Sequence, residues 1–229
     1  MKYFKLVIFT ILMLLVTWLL FIVTENPIFN FNIFDNTVLN NHLNYQLSGL
    51  IVAALALLLI YIFADKIKLG YLNFNRKGKM KPSFLLGEGK WEHDALGIGI
   101  IMVAIMGVVA FLQTYAVGFD FSLVALLMVI PLAATNAFIE EVIFRLPYVT
   151  MGDNETNSSL YGLIMGSAIF GIIHYWGVAP NGIFGVLISA YLGYFLAKSI
   201  QETKGFYWAF MIHFMLDVVI LIFIFNVAT

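Results

Sequence analysis

The sequence predicts an all-α fold, a polytopic membrane bundle of about seven transmembrane helices around an intramembrane polar cavity. Three observations predict this class. Hydrophobic residues make up 62% of the 229 residues and charged residues only 11%, whereas a soluble domain carries roughly 25% charged residues. The apolar stretches are long and continuous, which favours helices over a barrel of short alternating strands. The few ionisable residues inside these stretches recur at helical spacing.

Seven stretches are apolar enough to cross a membrane, which takes about 20 residues each. The first follows Lys2 and Lys5; it is longer than a signal-peptide core and has no small-residue cleavage site, so we interpret it as a retained span. The fourth is unusually long, and Pro131 is the position where it would kink. The predicted spans are residues 4–23, 47–64, 95–117, 121–149, 159–176, 182–199 and 206–226.

Lysine and arginine set the orientation, because cytoplasmic loops carry an excess of them. Residues 65–94 contain seven, whereas residues 24–46 contain none. With a cytoplasmic N-terminus and an outer C-terminus, every Lys and Arg falls on or toward the cytoplasmic side. We therefore expect a multi-pass protein of the cell membrane, with one domain over residues 1–229. Two spans and a basic cytoplasmic loop occupy 1–94, and a catalytic-type helical core occupies 95–229.

The basic loop is interpreted first as a topology signal, with contact to anionic lipid or an acidic substrate as the alternative. The net charge of −1 indicates no nucleic-acid partner. The chain contains no cysteine, which excludes disulfides, thiolate metal sites and a cysteine nucleophile.

The first polar cluster lies in "FIEEVIFRLPY", residues 138–148. Ionisable groups within spans are costly and are functional candidates by default. Glu141 and Arg145 are four residues apart, so they share a helical face and are expected to pair. Glu140 lies about 100° around the helix from Glu141, and Asn136 is one turn before Glu140 on its face. An ion pair that only joins helices would leave Glu140 unexplained.

The second cluster lies in "SAIFGIIHYW", residues 167–176, where Phe170 and His174 are four apart. Taken alone, His174 fits a structural histidine that is satisfied within the bundle. The cluster also contains small residues that permit close helix approach, namely Ser167, Ala168 and Gly171.

The third cluster is "HFMLD", in which His213 and Asp217 are four apart. A carboxylate one turn from an imidazole orients it, and a local hydrogen-bonded pair is the simpler interpretation. Considered together, the three clusters supply the groups that activate water and stabilise an oxyanion.

In this order, the clusters resemble the three signature motifs of the CPBP family. This family comprises the CAAX proteases and bacteriocin-processing (Abi) proteins, including the eukaryotic prenyl-protein endopeptidase Rce1. The resemblance covers roughly residues 121–220. The motifs read Glu140-Glu141-x-x-x-Arg145, Phe170-x-x-x-His174 and His213-x-x-x-Asp217.

The resemblance implies an intramembrane glutamate endopeptidase that needs no metal or other cofactor. Glu140 and His174 would activate the water, and His213 would help to stabilise the oxyanion. The expected reaction is hydrolysis of a peptide bond near the C-terminus of a substrate. The expected partners are a peptide or protein substrate, lipidated or not, and the lipid bilayer. The residues expected to shape the site or contact the substrate are Glu141, Arg145, Phe170 and Asn136.

Asp217 departs from the family pattern, in which the third motif often ends in Asn. An Asn side chain donates a hydrogen bond to an oxyanion, whereas an ionised Asp does not. Asp217 therefore either orients His213 or carries a proton itself.

The three reacting groups must lie at one depth. At about 1.5 Å per residue, His213 is expected about 10 Å, Glu140 about 15 Å and His174 about 22 Å from the cytoplasmic edge. The match is imperfect, and it is poorest for His174. It favours a cavity near the membrane middle that opens to the cytoplasm.

Three other interpretations remain open. A metal-dependent membrane protease would use Glu140, His174, His213 and Asp217 as ligands, although the sequence has no His-Glu-x-x-His pair. A non-catalytic bacteriocin-immunity or membrane scaffold protein would need none of these groups for chemistry. A transporter or proton relay would use the carboxylates, but the chain shows no paired halves.

Overall fold

The computed structural model describes residues 2–115, 118–119, 122–155, 159–176 and 181–226. These parts of the chain are mainly helical and contain almost no sheet. The 3₁₀ turn His174–Trp176 follows α6, and a small antiparallel sheet pairs β1, Lys79–Met80, with β2, Gly89–Lys90. The α-helices are α1 Lys2–Glu25, α2 Thr37–Phe63, α3 Trp91–Thr114, α4 Leu123–Phe144, α5 Leu146–Glu155, α6 Ser159–Ile173, α7 Gly182–Thr203 and α8 Tyr207–Phe225.

The predicted all-α membrane bundle is confirmed. Within the described residues, six helical segments are long and apolar enough to cross a membrane, and Leu160–Trp176 is a shorter apolar helix. Each predicted span coincides with one of these seven segments. The second begins earlier than predicted, at Thr37 rather than residue 47. The predicted boundaries at residues 117 and 121 lie outside the described residues.

The predicted fourth span consists of two helices rather than one. The chain leaves helical geometry at Arg145, with φ −124° and ψ −56°, and α5 follows at once. The break arises at Pro147, because its ring would clash with the carbonyl of Ile143 if α4 continued. Pro131, by contrast, lies inside α4. Nearly all of α5 is buried.

Small residues bring α6 and α7 close together, as the sequence predicted. A Cβ on Gly193 would lie 2.6 Å from the carbonyl oxygen of Gly166, so only glycine fits there. The Ser167 hydroxyl donates a hydrogen bond of 2.7 Å to the carbonyl of Ala190 on α7. This contact fixes α6, which carries Phe170 and His174, against the bundle.

The basic loop between α2 and α3 packs on the helix ends at one side of the bundle. The side chain of Asn154, at the end of α5, accepts a hydrogen bond of 2.9 Å from the backbone of Lys66. Trp91, at the start of α3, donates one of 2.9 Å to Glu202 near the end of α7. Helix ends that the predicted topology places on one side are therefore joined by hydrogen bonds. We call this arrangement, formed by residues 65–91 on α5 and α7, the polar clasp.

Candidate active site

The last turn of α4 places two adjacent carboxylates in different surroundings. The side chain of Glu141 is completely buried, whereas that of Glu140 is 16% exposed. This difference follows from the helical rotation of about 100° between consecutive residues. Only Glu140 is therefore accessible to a small molecule such as water.

Glu141 binds two cationic or donor groups. Its Oε1 lies 3.0 Å from Nη1 of Arg145 and 2.6 Å from Nδ1 of His213. The predicted pair of Glu141 with Arg145 is present. The bond to His213 was not predicted, because it joins α4 to α8 and leaves no signal in local spacing. A carboxylate at Nδ1 fixes the proton on that nitrogen and the orientation of the ring.

The other nitrogen of His213 faces two further carboxylates. Its Nε2 lies 3.4 Å from Oε2 of Glu140 and 3.6 Å from Oδ1 of Asp217. Both distances exceed that of a strong charge-assisted hydrogen bond. His213 itself is buried. The site therefore holds the imidazole firmly through Nδ1 and leaves Nε2 loosely paired.

Asn136 joins the two carboxylates that face Nε2. Its Nδ2 donates a hydrogen bond of 3.1 Å to Oε1 of Glu140 and another of 3.1 Å to Oδ2 of Asp217. The placement of Asn136 one turn before Glu140 was predicted, but its bond to Asp217 was not. Asp217 thus lies beside His213, as its spacing predicted, and also contacts α4.

His174 lies at the margin of this cluster and is half-buried. Its Nδ1 forms a hydrogen bond of 2.8 Å with the carbonyl oxygen of Phe170, so Nδ1 carries the proton and Nε2 is left as an acceptor. The ion pairs of 4.0 Å or less in the described chain do not link His174 to Glu140. His174 does lie within electrostatic range of Glu140, and a water molecule between them would connect the two.

Phe170 contacts three charged or titratable groups of the site. Its ring centroid is 4.3 Å from that of His174 and 5.8 Å from that of His213, edge to face. The guanidinium carbon of Arg145 lies 3.4 Å from the same centroid, a cation–π geometry. The spacing of four placed Phe170 and His174 on one helical face, whereas the contacts of Phe170 with Arg145 and His213 were not predicted.

In the portion of the chain that the structure describes, no group of three or more His, Asp or Glu side chains is disposed to hold a metal ion. Glu141 already binds Arg145 and His213. The chemistry that these residues offer is proton transfer and hydrogen bonding to a developing charge.

The fold and the site define a multi-pass membrane protein with carboxylates, imidazoles and a guanidinium grouped in its interior. Residues 121–219 match the family model described as type II CAAX prenyl endopeptidase Rce1-like. This match confirms the resemblance to the CPBP and CAAX proteases, over somewhat less than half of the chain, and it supports a membrane protease. No curated protein and no solved structure matches the chain.

Proposed function

We propose that this protein is an intramembrane endopeptidase that hydrolyses a peptide bond near the C-terminus of its substrate, using water activated by Glu140 and His174. The proposal rests on one observation: the adjacent carboxylates Glu140 and Glu141 lie in different surroundings. Glu141 is buried and neutralised by Arg145. Glu140 is accessible, and its partners among the described residues within hydrogen-bond or ion-pair distance are Asn136 and His213. A carboxylate in that position is suited to general-base work.

The reaction begins with a water molecule between Glu140 and His174. Glu140 takes one proton from the water, and Nε2 of His174 accepts a hydrogen bond from the other. The water oxygen attacks the carbonyl carbon of the scissile bond, and the carbonyl electron pair moves to its oxygen. When this tetrahedral intermediate collapses, the C–N bond breaks and Glu140 returns its proton to the leaving amine.

His213 stabilises the oxyanion of that intermediate. Its Nδ1–H is held by Glu141, so the ring can donate to the oxyanion only through Nε2–H and must then carry both protons. Three carboxylates and one guanidinium surround the imidazole. Because the negative charges outnumber the positive one, the cluster can stabilise the positive charge of a doubly protonated ring. A donor that is fixed before the reaction stabilises developing charge without reorganisation. His213 is such a donor because the hydrogen bond from its Nδ1 to Glu141 fixes the ring.

We infer that the lysine-rich end of the bundle faces the cytoplasm and that the substrate reaches the site from that side or from the bilayer. The inference rests on the excess of Lys and Arg in residues 65–94. It also rests on the polar clasp, which gathers the helix ends of that side. A substrate with an apolar or lipidated end fits a site surrounded by apolar helices.

A cleavage assay with purified protein tests the proposal. A panel of lipidated and unlipidated C-terminal peptides is incubated with wild type, with His174→Ala and with wild type plus a chelator. We expect cleavage by wild type, a loss of at least about a hundredfold in His174→Ala, and no effect of the chelator. Full activity in His174→Ala would refute its role, and loss of activity with the chelator would favour a metal-dependent protease. A correctly folded wild type that cleaves no peptide would favour the non-catalytic interpretation.

A further inference from the structure

The middle of α2 contains a buried amide that the mechanism does not use. Gln46 is 1% exposed, and among the described residues neither its Nε2 nor its Oε1 has a hydrogen-bond partner. An unpaired polar group in an apolar interior is costly, and buried amides in proteins are nearly always satisfied. A polar atom from outside the polypeptide is therefore expected beside Gln46.

The positions one turn before and one turn after Gln46 contact helices α8, α4 and α1. One turn before it, the ring of His42 is 4.9 Å from that of Phe225 on α8. One turn after it, a Cβ on Gly49 would lie 3.1 Å from Cδ1 of Ile139 on α4. Residues three and four apart share a helical face. Gln46 therefore lies between these contacts, on the face of α2 that is turned toward α1, α4 and α8.

The same contacts give the level of Gln46 along the bundle. Helices α2 and α4 run in the same direction, and Gly49 lies opposite Ile139. Gln46 lies three residues before Gly49, and Asn136 lies three residues before Ile139, which is about 4.5 Å along each helix axis. Gln46 is therefore level with Asn136. The neighbouring Tyr45 lies within electrostatic range of Glu140 and Asp217. The unpaired amide is thus at the level of the residue that joins those two carboxylates.

We propose that Gln46 is a positioning residue of the active site, which holds an ordered water against Asn136 and Asp217. The proposal rests on the proposed hydrolytic function. Both Nδ2–H groups of Asn136 are donated to carboxylates, and its Oδ1 must face away from them. A water bonded to the Gln46 amide would donate to Asn136 Oδ1 or to Asp217. It would hold the Asn136 amide in the orientation that keeps Glu140 in place.

Replacing Gln46 by methionine, which has a similar shape and no amide, tests this role. We expect Gln46→Met to lower kcat about tenfold, the effect of one lost hydrogen bond on a reaction barrier, with KM changed less than twofold. Tm in detergent should stay close to that of wild type, because methionine fills a similar volume. A purely structural role predicts the reverse, a lower Tm with an unchanged kcat.

Ser48→Ala is the matched control on the same helix. Ser48 is also buried, but its hydroxyl donates to the carbonyl of Asn44 at 2.7 Å and accepts from the N–H of Ile28 at 2.9 Å, away from the carboxylates of the site. Its loss should lower Tm and leave kcat unchanged. A wild-type kcat in Gln46→Met, or equal falls of kcat in both variants, would overturn the proposal for Gln46.

A second measurement separates this proposal from the proposed function. A high-resolution density map of wild type should show a water within about 3 Å of the Gln46 amide, and Gln46→Met should lack it. Absence of that water in wild type would overturn the Gln46 proposal even if peptides are cleaved. If the water is present but Glu140→Gln cleaves as fast as wild type, the hydrolytic mechanism fails instead.

Discussion

Glu140 and Glu141 are neighbours in the chain, yet α4 turns their side chains to different surroundings. Glu141 is enclosed by Arg145 and His213, and it anchors both. Glu140 reaches the accessible side of the same cluster. Glu141 therefore has a structural role, whereas Glu140 is available for chemistry. Substituting each in turn separates these two parts.

Glu141→Gln should destabilise the fold. The substitution removes the carboxylate that lies 3.0 Å from the completely buried Arg145, and an unpaired buried charge costs about 3–5 kcal/mol. Thermal unfolding in detergent should show a clearly lower Tm. Glu140→Gln is the control and should unfold within about one degree of wild type, since its loss leaves no buried charge unpaired. Equal melting temperatures for the two variants would contradict this assignment.

Asp217→Asn should retain activity. An asparagine at this position would still accept the hydrogen bond from Asn136 through its carbonyl oxygen, and its amide would add a donor near Nε2 of His213. We expect kcat within about threefold of wild type. Asp217→Leu, which offers no polar atom to Asn136, should lose at least about tenfold. A collapse of kcat in Asp217→Asn, measured on the same peptide, would show that the negative charge itself is required.

At the scale of helices, the site depends on how closely α6 approaches α7. Gly193→Ala should push the two helices apart, because the added Cβ would meet the backbone of Gly166 at 2.6 Å. The shift would move Phe170 and His174, so we expect both a lower Tm and a lower kcat. Gly97→Ala on α3 is the matched control, since its Cβ would meet nothing within 4 Å, and both quantities should stay unchanged. A variant Gly193→Ala with wild-type Tm would contradict this packing argument.

The sequence predicts those features that are local along the chain. Span positions follow from apolar length, and the pairing of Glu141 with Arg145 follows from their spacing of four. The break between α4 and α5 was not predicted; it lies at Arg145, just before Pro147, whereas Pro131 lies inside α4. The bond from His213 to Glu141 could not be predicted, since it depends on how α8 packs against α4. The position of His174 likewise depends on the packing of α6.

At the scale of the whole molecule, the polar clasp ties together helix ends that are distant in sequence. Asp65, which follows α2, receives hydrogen bonds from Asn154 and Lys5, which hold the pKa of its carboxyl down at about 2. A lowered pKa means that the ionised form stabilises the fold. This contribution is present at neutral pH and is lost only as the pH falls from about 4 toward 2.

The orientation of the bundle is directly testable because the chain contains no cysteine, so single cysteines can be introduced at either end. Lys77 lies exposed in the basic loop, and Asp35 lies exposed in the connection between α1 and α2. A membrane-impermeant maleimide should label Asp35→Cys in intact cells and Lys77→Cys only after permeabilisation. Labelling of Lys77→Cys in intact cells would reverse the orientation predicted from lysine and arginine.

The rate of peptide cleavage by Glu140→Gln, compared with wild type under single-turnover conditions, shows whether Glu140 is the general base. The substitution keeps the shape of the side chain and a partner for Asn136 but removes the base. We predict an unchanged Tm and a cleavage rate lowered at least about a thousandfold, as expected when a general base that activates water is lost from a preorganised site. A folded Glu140→Gln variant that cleaves within a few-fold of wild type would contradict the account.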